Sequence, residues 1–313
     1  MARHKRRVPR KQFKHPAKKQ PASVFILLDK FSATDIERWA IFKDQILKFH
    51  WDFYSNLAYQ RSKISDEIKK SLLEATQKSF PFEKYQRAVK YRHALEPFSV
   101  VGSVIDPGGR FNIGDINASQ FLLFPALYLA ADKDTALQEL LSQKIEPGQK
   151  DRTLDFALTN PESIASISVS GFLNSLISLK QPERLQPFVD LIKDFSIPDS
   201  LKEISKKIGL PEPELIKTVP KLVEALMAPY WREWPMQCDV PFSSQIFGQL
   251  VADAGIEGIL YESKFTGKAC LAIFPQNFDE TSGSFIQLDD EAPAEIKIRR
   301  LDAKVWHEIE RPG

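Results

Sequence analysis

The chain has 313 residues, of which 43% are hydrophobic and 27% charged, and its formal net charge is +2. That length can bury one large core or two modest ones, and the composition is ordinary for a globular protein, which excludes global disorder and collagen-like or coiled-coil fibres. The longest apolar runs, residues 25–28 and 121–131, fall well short of the roughly 20 residues that a membrane span needs, so no membrane association is expected.

Two cysteines, Cys238 and Cys270, rule out a disulfide framework and any four-thiolate site. A cytoplasmic, reducing compartment fits them. The small net charge hides an asymmetry. Residues 1–20 carry nine basic side chains and no acidic one, against 34 basic and 41 acidic in the remainder. Residues 1–22 therefore read as a solvated basic tail. The alternative for this tail is weak contact with nucleic acid or another anion. A secretory signal is a poor reading, because the apolar stretch after the charges is too short.

Residues 23–86 read as an N-terminal helical region. Ser32, Thr34 and Asp35 offer N-cap chemistry, and Ile36, Trp39, Ala40, Phe42 and Ile46 follow at mostly helical spacing. That helix is expected to run through Phe49, Phe53 and Leu57, and a second from about Ser65 to Ser79. Such aromatic stripes are ordinarily core. Residues 100–105 read as a strand before a tight turn at Asp106-Pro107-Gly108-Gly109. Residues 126–130 read as a buried strand, and 132–141 as a helix capped by Asp132 or Asp134. One or two strands are expected over 153–169, around Asn160-Pro161. From 171 to 228 the pattern reads as mostly helical and broken by prolines. A helix over 242–254 and strands over 256–261 and 269–274 complete a mixed α and β chain.

Several chemistries have no motif. There is no glycine-rich dinucleotide fingerprint opening a helix, no GxxxxGK phosphate loop and no GxSxG elbow. The five histidines are scattered, so no metal is expected. Three polar groups in apolar surroundings remain. Arg110 directly follows Gly108-Gly109, where a guanidinium can hold a phosphate in bidentate fashion; alone, it reads as a surface salt bridge. Tyr128 ends the strand before the helix that carries Glu139; alone, a helical glutamate is simply solvated. Ser263 lies just past the strand 256–261, where a turn serine is routine.

In this order they carry more. The segments GGRFN at 108–112, LYLA with TALQE at 127–139, and AGIEGILYESK at 254–264 resemble the blocks of the RES-domain family. The resemblance spans residues 87–280, though not continuously. It implies an α+β, ADP-ribosyltransferase-like fold, with a mixed β core surrounded by helices and a domain over 87–300. It also implies an enzyme that takes NAD as substrate and cleaves its nicotinamide–ribose bond, by hydrolysis or phosphorolysis. Family members are often bacterial toxins neutralised by an antitoxin, so an antitoxin or immunity protein is the implied partner. Glu139 and Ser263 match the family's catalytic positions. Arg110, Tyr128 and Arg92 (in Tyr91-Arg92) match its NAD-binding positions. A glutamate suits an oxocarbenium-like transition state, arginine a pyrophosphate and tyrosine a nicotinamide ring.

The gap of 124 residues between Glu139 and Ser263 is longer than in compact members, so about 171–235 reads as a helical insertion outside the NAD site. Two other functions compete: a mono-ADP-ribosyltransferase acting on a macromolecule, and an inactive binding module whose tail contacts nucleic acid. The tail gives the first prediction. A chain starting near Pro21 is expected to keep its turnover of free NAD and to lose any salt-sensitive binding to nucleic acid, read by NAD consumption and by binding across a salt series. Loss of turnover on truncation would contradict this division.

Overall fold

The structure is a computed structural model that describes residues 33–105, 107–117, 120–141, 164–210, 213–289 and 293–310. The tail over 1–22 and the strands expected before Ile164 lie outside the described residues. Two compact units divide the chain after Phe42. The described part of the first is the start of helix α1, Ala33–Ser62. Everything below concerns the second.

The architecture is α+β. Seven described strands form one sheet: β1 Gln77–Lys90, β2 Leu127–Ala130, β3 Ile164–Ser178, β4 Gly258–Glu262, β5 Ala269–Ile273, β6 Phe285–Leu288 and β7 Arg300–Asp302. Their order is β1-β2-β5-β4-β3-β6-β7, and β1 also pairs with β3, so five of the strands close a ring of pairings. All neighbours are antiparallel except β3 and β4. Parallel neighbours cannot be joined by a hairpin and need a long crossover. Here the crossover carries α4 Gln186–Ile192, α5 Asp199–Lys207, α6 Val219–Leu226, α7 Glu233–Cys238 and α8 Ser243–Asp253. Helices α2 Ser65–Glu74, α3 Lys133–Leu141 and α9 Ala303–Glu310 lie elsewhere in the order.

Alternation along the strands splits the core into two clusters. Leu127 and Leu129 of β2, Leu260 of β4, and Leu271 and Ile273 of β5 pack with Val169, Leu173 and Trp306 on one face. Ala130, Ile259, Tyr261, Cys270 and Ala272 face the other way, under α2, α4, α6 and α8. Phe188, Leu222, Leu226 and Phe247 of the helices pack against these strand residues. Tyr128 packs against this helix-covered face.

Four expectations need correction. The second helix stops at Glu74 rather than Ser79, because Gln77 onward is drawn into pairing with β3; the region 23–86 therefore ends in strand. Residues 171–178 are the second half of β3, not helix. The alternating run from Ile164 to Ser178 is flanked by β1 and β6, and pairing overrides the helical reading. Residues 100–105 form a short 3-10 turn, Val101–Ser103, instead of a strand. There the Ser103 hydroxyl donates to Val100 O and accepts from the Ala126 amide, which curls the segment back on itself. Tyr128 is the second residue of β2, not its end.

One buried carboxylate bridges a break in the ladder. β6 pairs with β3 over Val169–Phe172, and β4 over Ile177–Ser178. Between them, Oε2 of Glu257 accepts from the amides of Asn174 and Ser175, at 2.6 and 3.2 Å. The Ser284 hydroxyl donates to the same carboxylate at 2.8 Å. Glu257 is buried, so removing it strands backbone donors away from water. Glu257→Ala is expected to destabilise the fold by about 2–4 kcal/mol, read from the urea midpoint. A change below about 0.5 kcal/mol, the range of neutral surface substitutions, would contradict this role.

Candidate active site

The segment from Pro107 to Asn112 follows a turn and makes few strand contacts, so side chains must satisfy its backbone. Asn112 does most of this. It is fully buried, and both halves of its amide are used. Its Oδ1 accepts from the Gly109 amide at 2.9 Å and from the Tyr128 hydroxyl at 2.8 Å. Its Nδ2 donates to Ser103 O and Phe124 O at 2.7 and 3.0 Å. Gln245, near the start of α8, reaches the loop from the other side. Its Nε2 lies within hydrogen-bonding distance of the carbonyls of Pro107, Gly109 and Asn112.

The close approaches demand glycine at two places. A Cβ on Gly109 would stand 2.3 Å from the Tyr128 hydroxyl, and one on Gly248 of α8 would stand 2.0 Å from Phe111 O. Both glycines therefore let a neighbour sit directly against the loop. The Tyr128 hydroxyl also accepts from the Phe111 amide at 3.0 Å. Burial raises the Tyr128 pKa well above that of an ordinary phenol, so at neutral pH it remains a hydrogen-bond donor. The hydroxyl is committed to the loop, and the ring is half-buried at the site.

Arg110 projects from this fixed loop. Its Nη1 donates to the carbonyls of Leu226 and Ala228, at 3.3 and 2.9 Å, and not to a carboxylate. Its Cζ is 5.6 Å from the centre of the Trp231 ring. Only 8% of the residue is exposed. Burial lowers its pKa, and the Glu139 carboxylate is among the groups that oppose that fall. The surface salt bridge that Arg110 alone would imply is not what forms. The end of α6 and the turn after it hold the arginine, although this part of the chain was expected to stand outside the site.

Glu139 comes from α3. Asp132 caps that helix by accepting from the Thr135 amide at 2.8 Å. Three ties fasten α3 to the turn between β4 and β5. Lys268 pairs with Asp132 at 2.6 Å, Thr135 and Thr266 share a hydrogen bond at 2.9 Å, and Ser263 Oγ donates to Glu139 Oε1 at 2.6 Å. Ser263 is itself set by its turn, since its Oγ accepts from the Phe265 amide at 3.2 Å. The carboxylate is half-buried, and its orientation is fixed by a neighbour rather than left to solvent.

Arg110, Tyr128, Glu139 and Ser263 thus meet on the helix-covered face of the sheet, with Tyr261 edge-on to Phe111 at 5.1 Å. Arg92 lies in the 3-10 turn Tyr91–His93, and its side chain is outside the described residues. Sequence reasoning missed Asn112, Gln245 and Trp231. Asn112 stood within the quoted GGRFN block and could have been found there; the others are brought in by the crossover. Among the described residues, no three His, Cys, Asp or Glu side chains gather as a metal-holding group, and no helix is long and apolar enough to cross a membrane.

Comparison with known proteins bears on this arrangement directly. The family model described as "RES domain" matches residues 84–294, about two-thirds of the chain. The chain belongs to the RES-domain family. All four clustered residues fall inside the matched span. No curated protein matches the chain by sequence. Among solved structures, the RES chain is similar to one chain of the M. tuberculosis MbcT–MbcA toxin–antitoxin complex. That likeness has 13% identity, covers 77% of this chain and 96% of that one, and has a TM-score of 0.37.

The Asn112 network yields a prediction for this RES domain. Asn112→Asp keeps the size but turns two donated hydrogen bonds into oxygen–oxygen repulsions. It is expected to lower stability by about 2 kcal/mol or more, read from chemical denaturation. An unchanged midpoint would show that the loop is held by other means.

Proposed function

We propose that this RES domain consumes NAD, cleaving the bond between nicotinamide and ribose, and that it acts as a toxin held in check by an antitoxin or immunity protein. In this reading its closed ring of strands is an ADP-ribosyltransferase-like core. The observation that carries the reading is the fixed carboxylate: Ser263 holds Glu139 at 2.6 Å, beside the buried Arg110.

The chemistry asks for little else. The glycosidic C–N bond breaks, its electron pair goes to the pyridinium nitrogen, and neutral nicotinamide leaves. Positive charge builds on the ribose C1′ and its ring oxygen. A carboxylate already aimed at that carbon stabilises the charge without reorganising during the reaction. Water or phosphate then attacks C1′. With water, Glu139 is well placed to take the proton. Arg110 binds the pyrophosphate, and the half-buried Tyr128 ring flanks the nicotinamide. Ser263 is a positioning residue that acts through Glu139.

Incubating the protein with NAD labelled in its adenosine half tests this. Free ADP-ribose reports hydrolysis, ADP-ribose 1″-phosphate reports phosphorolysis, and a labelled polymer reports transfer to a macromolecule. Glu139→Gln is expected to lower turnover about 100-fold or more with its melting temperature kept. Ser263→Ala should lower kcat about tenfold with little change in KM, and Ser263→Thr should restore part of it. Wild-type turnover in Glu139→Gln, or no NAD consumption by the wild type with or without phosphate or an acceptor, would overturn the reading.

A further inference from the structure

The loop before α7 brings a second guanidinium to the site. Trp231 is buried, and Arg232 follows it in the chain. The ring carries both cations: the Arg110 Cζ is 5.6 Å from its centre, and the Arg232 Cζ is 5.0 Å. Each contact is a favourable cation–π interaction, and together they hold two positive charges near one indole.

The two arginines are spent differently. Arg110 is buried, and its Nη1 is committed to two backbone carbonyls. Arg232 is exposed, and no hydrogen bond or ion pair to a described residue engages its guanidinium. It therefore keeps a planar fork of donors that matches phosphate oxygens. Its position relative to the reacting groups is also informative. Partial burial of the guanidinium lowers the Arg232 pKa, and the Glu139 carboxylate is among the groups that oppose that fall. The charge of Arg232 also disfavours that of Arg110. Lys264, next to Ser263, feels the Arg110 charge as well. Arg110 and Arg232 thus both lie within electrostatic reach of one carboxylate, Glu139. The charges call for a dianion beside a cationic ring, and a dinucleotide with a pyrophosphate and a pyridinium meets that description.

We infer that Arg232 is a substrate-binding residue that, with Arg110 beside the same Trp231 ring, holds the pyrophosphate of the dinucleotide. The crossover between β3 and β4 then does more than join parallel strands, because it brings one jaw of a phosphate clamp. This inference rests on the NAD-cleaving reading above, and the experiment separates the two.

The full chain, as wild type, Arg232→Ala and Arg232→Lys, is assayed on NAD and on nicotinamide riboside, which has the scissile bond but no phosphate. Arg232→Ala is expected to raise KM for NAD about tenfold or more while kcat changes less than about threefold. The preference for NAD over the riboside, as a ratio of kcat/KM, should fall about tenfold, and Arg232→Lys should recover part of it. An unchanged ratio, or equal losses on both substrates, would overturn the assignment. If the wild type proves inert to NAD, the catalytic reading fails and calorimetry with ADP-ribose decides on Arg232. Binding by the wild type that weakens about tenfold in Arg232→Ala supports the clamp, whereas equal binding, or none by the wild type, overturns it.

Discussion

The fully paired amide of Asn112 is the interaction on which the site depends. Its four hydrogen bonds tie the glycine turn, the Tyr128 hydroxyl, the 3-10 turn at Ser103 and the carbonyl of Phe124 into one knot. A loop without strand partners cannot leave its buried backbone groups unpaired, and side-chain amides offer the donors and acceptors needed. Gln245 does the same from α8. With the knot tied, the loop has one conformation, and the guanidinium that follows it in sequence has one place to go. Loss of one hydrogen bond here would loosen several groups at once, because they share a single side chain.

The sheet positions the rest of the site. Alternation on β2, β4 and β5 sends Leu127, Leu129, Leu260, Leu271 and Ile273 to one face and Tyr128, Ala130, Ile259, Tyr261, Cys270 and Ala272 to the other, where the crossover helices pack. The site lies on this face, where α3, α6, α8 and the turn after β4 converge. A carboxylate and a guanidinium from segments far apart in sequence are held by rigid neighbours instead of by loops alone. Preorganisation of this kind is what electrostatic catalysis needs, since groups that move during the reaction forfeit much of their effect.

Much of this was legible in the sequence. The strand–helix unit from Leu127 to Leu141, the cap at Asp132 and the paired strands β4 and β5 follow from periodicity and capping chemistry. The clustering of Arg110, Tyr128, Glu139 and Ser263 followed only from family resemblance, because each alone reads as an ordinary surface or turn residue. What stayed hidden was long-range. The adjacent apolar pairs Phe172-Leu173 and Leu176-Ile177 blur the alternation of a strand over residues 171–178, and only pairing with β1, β6 and β4 decides the matter. The mostly helical stretch after it reads as an addition, yet its carbonyls at Leu226 and Ala228 hold Arg110. No local pattern announces that two backbone oxygens will meet a guanidinium more than a hundred residues away. Glu257 is hidden in the same way, since a glutamate between Ile256 and Gly258 gives no sign of the ladder break that it fills.

The central claim is that Glu139, fixed by Ser263, faces the carbon from which nicotinamide departs. A crystal structure with a non-cleavable NAD analogue, its ribose ring oxygen replaced by methylene, tests it most directly. The account predicts the analogue on the helix-covered face, with the ribose C1′ about 3–3.5 Å from a Glu139 carboxylate oxygen and the pyrophosphate against Arg110. A dinucleotide bound elsewhere, or bound here with its C1′ turned away from Glu139, would contradict it.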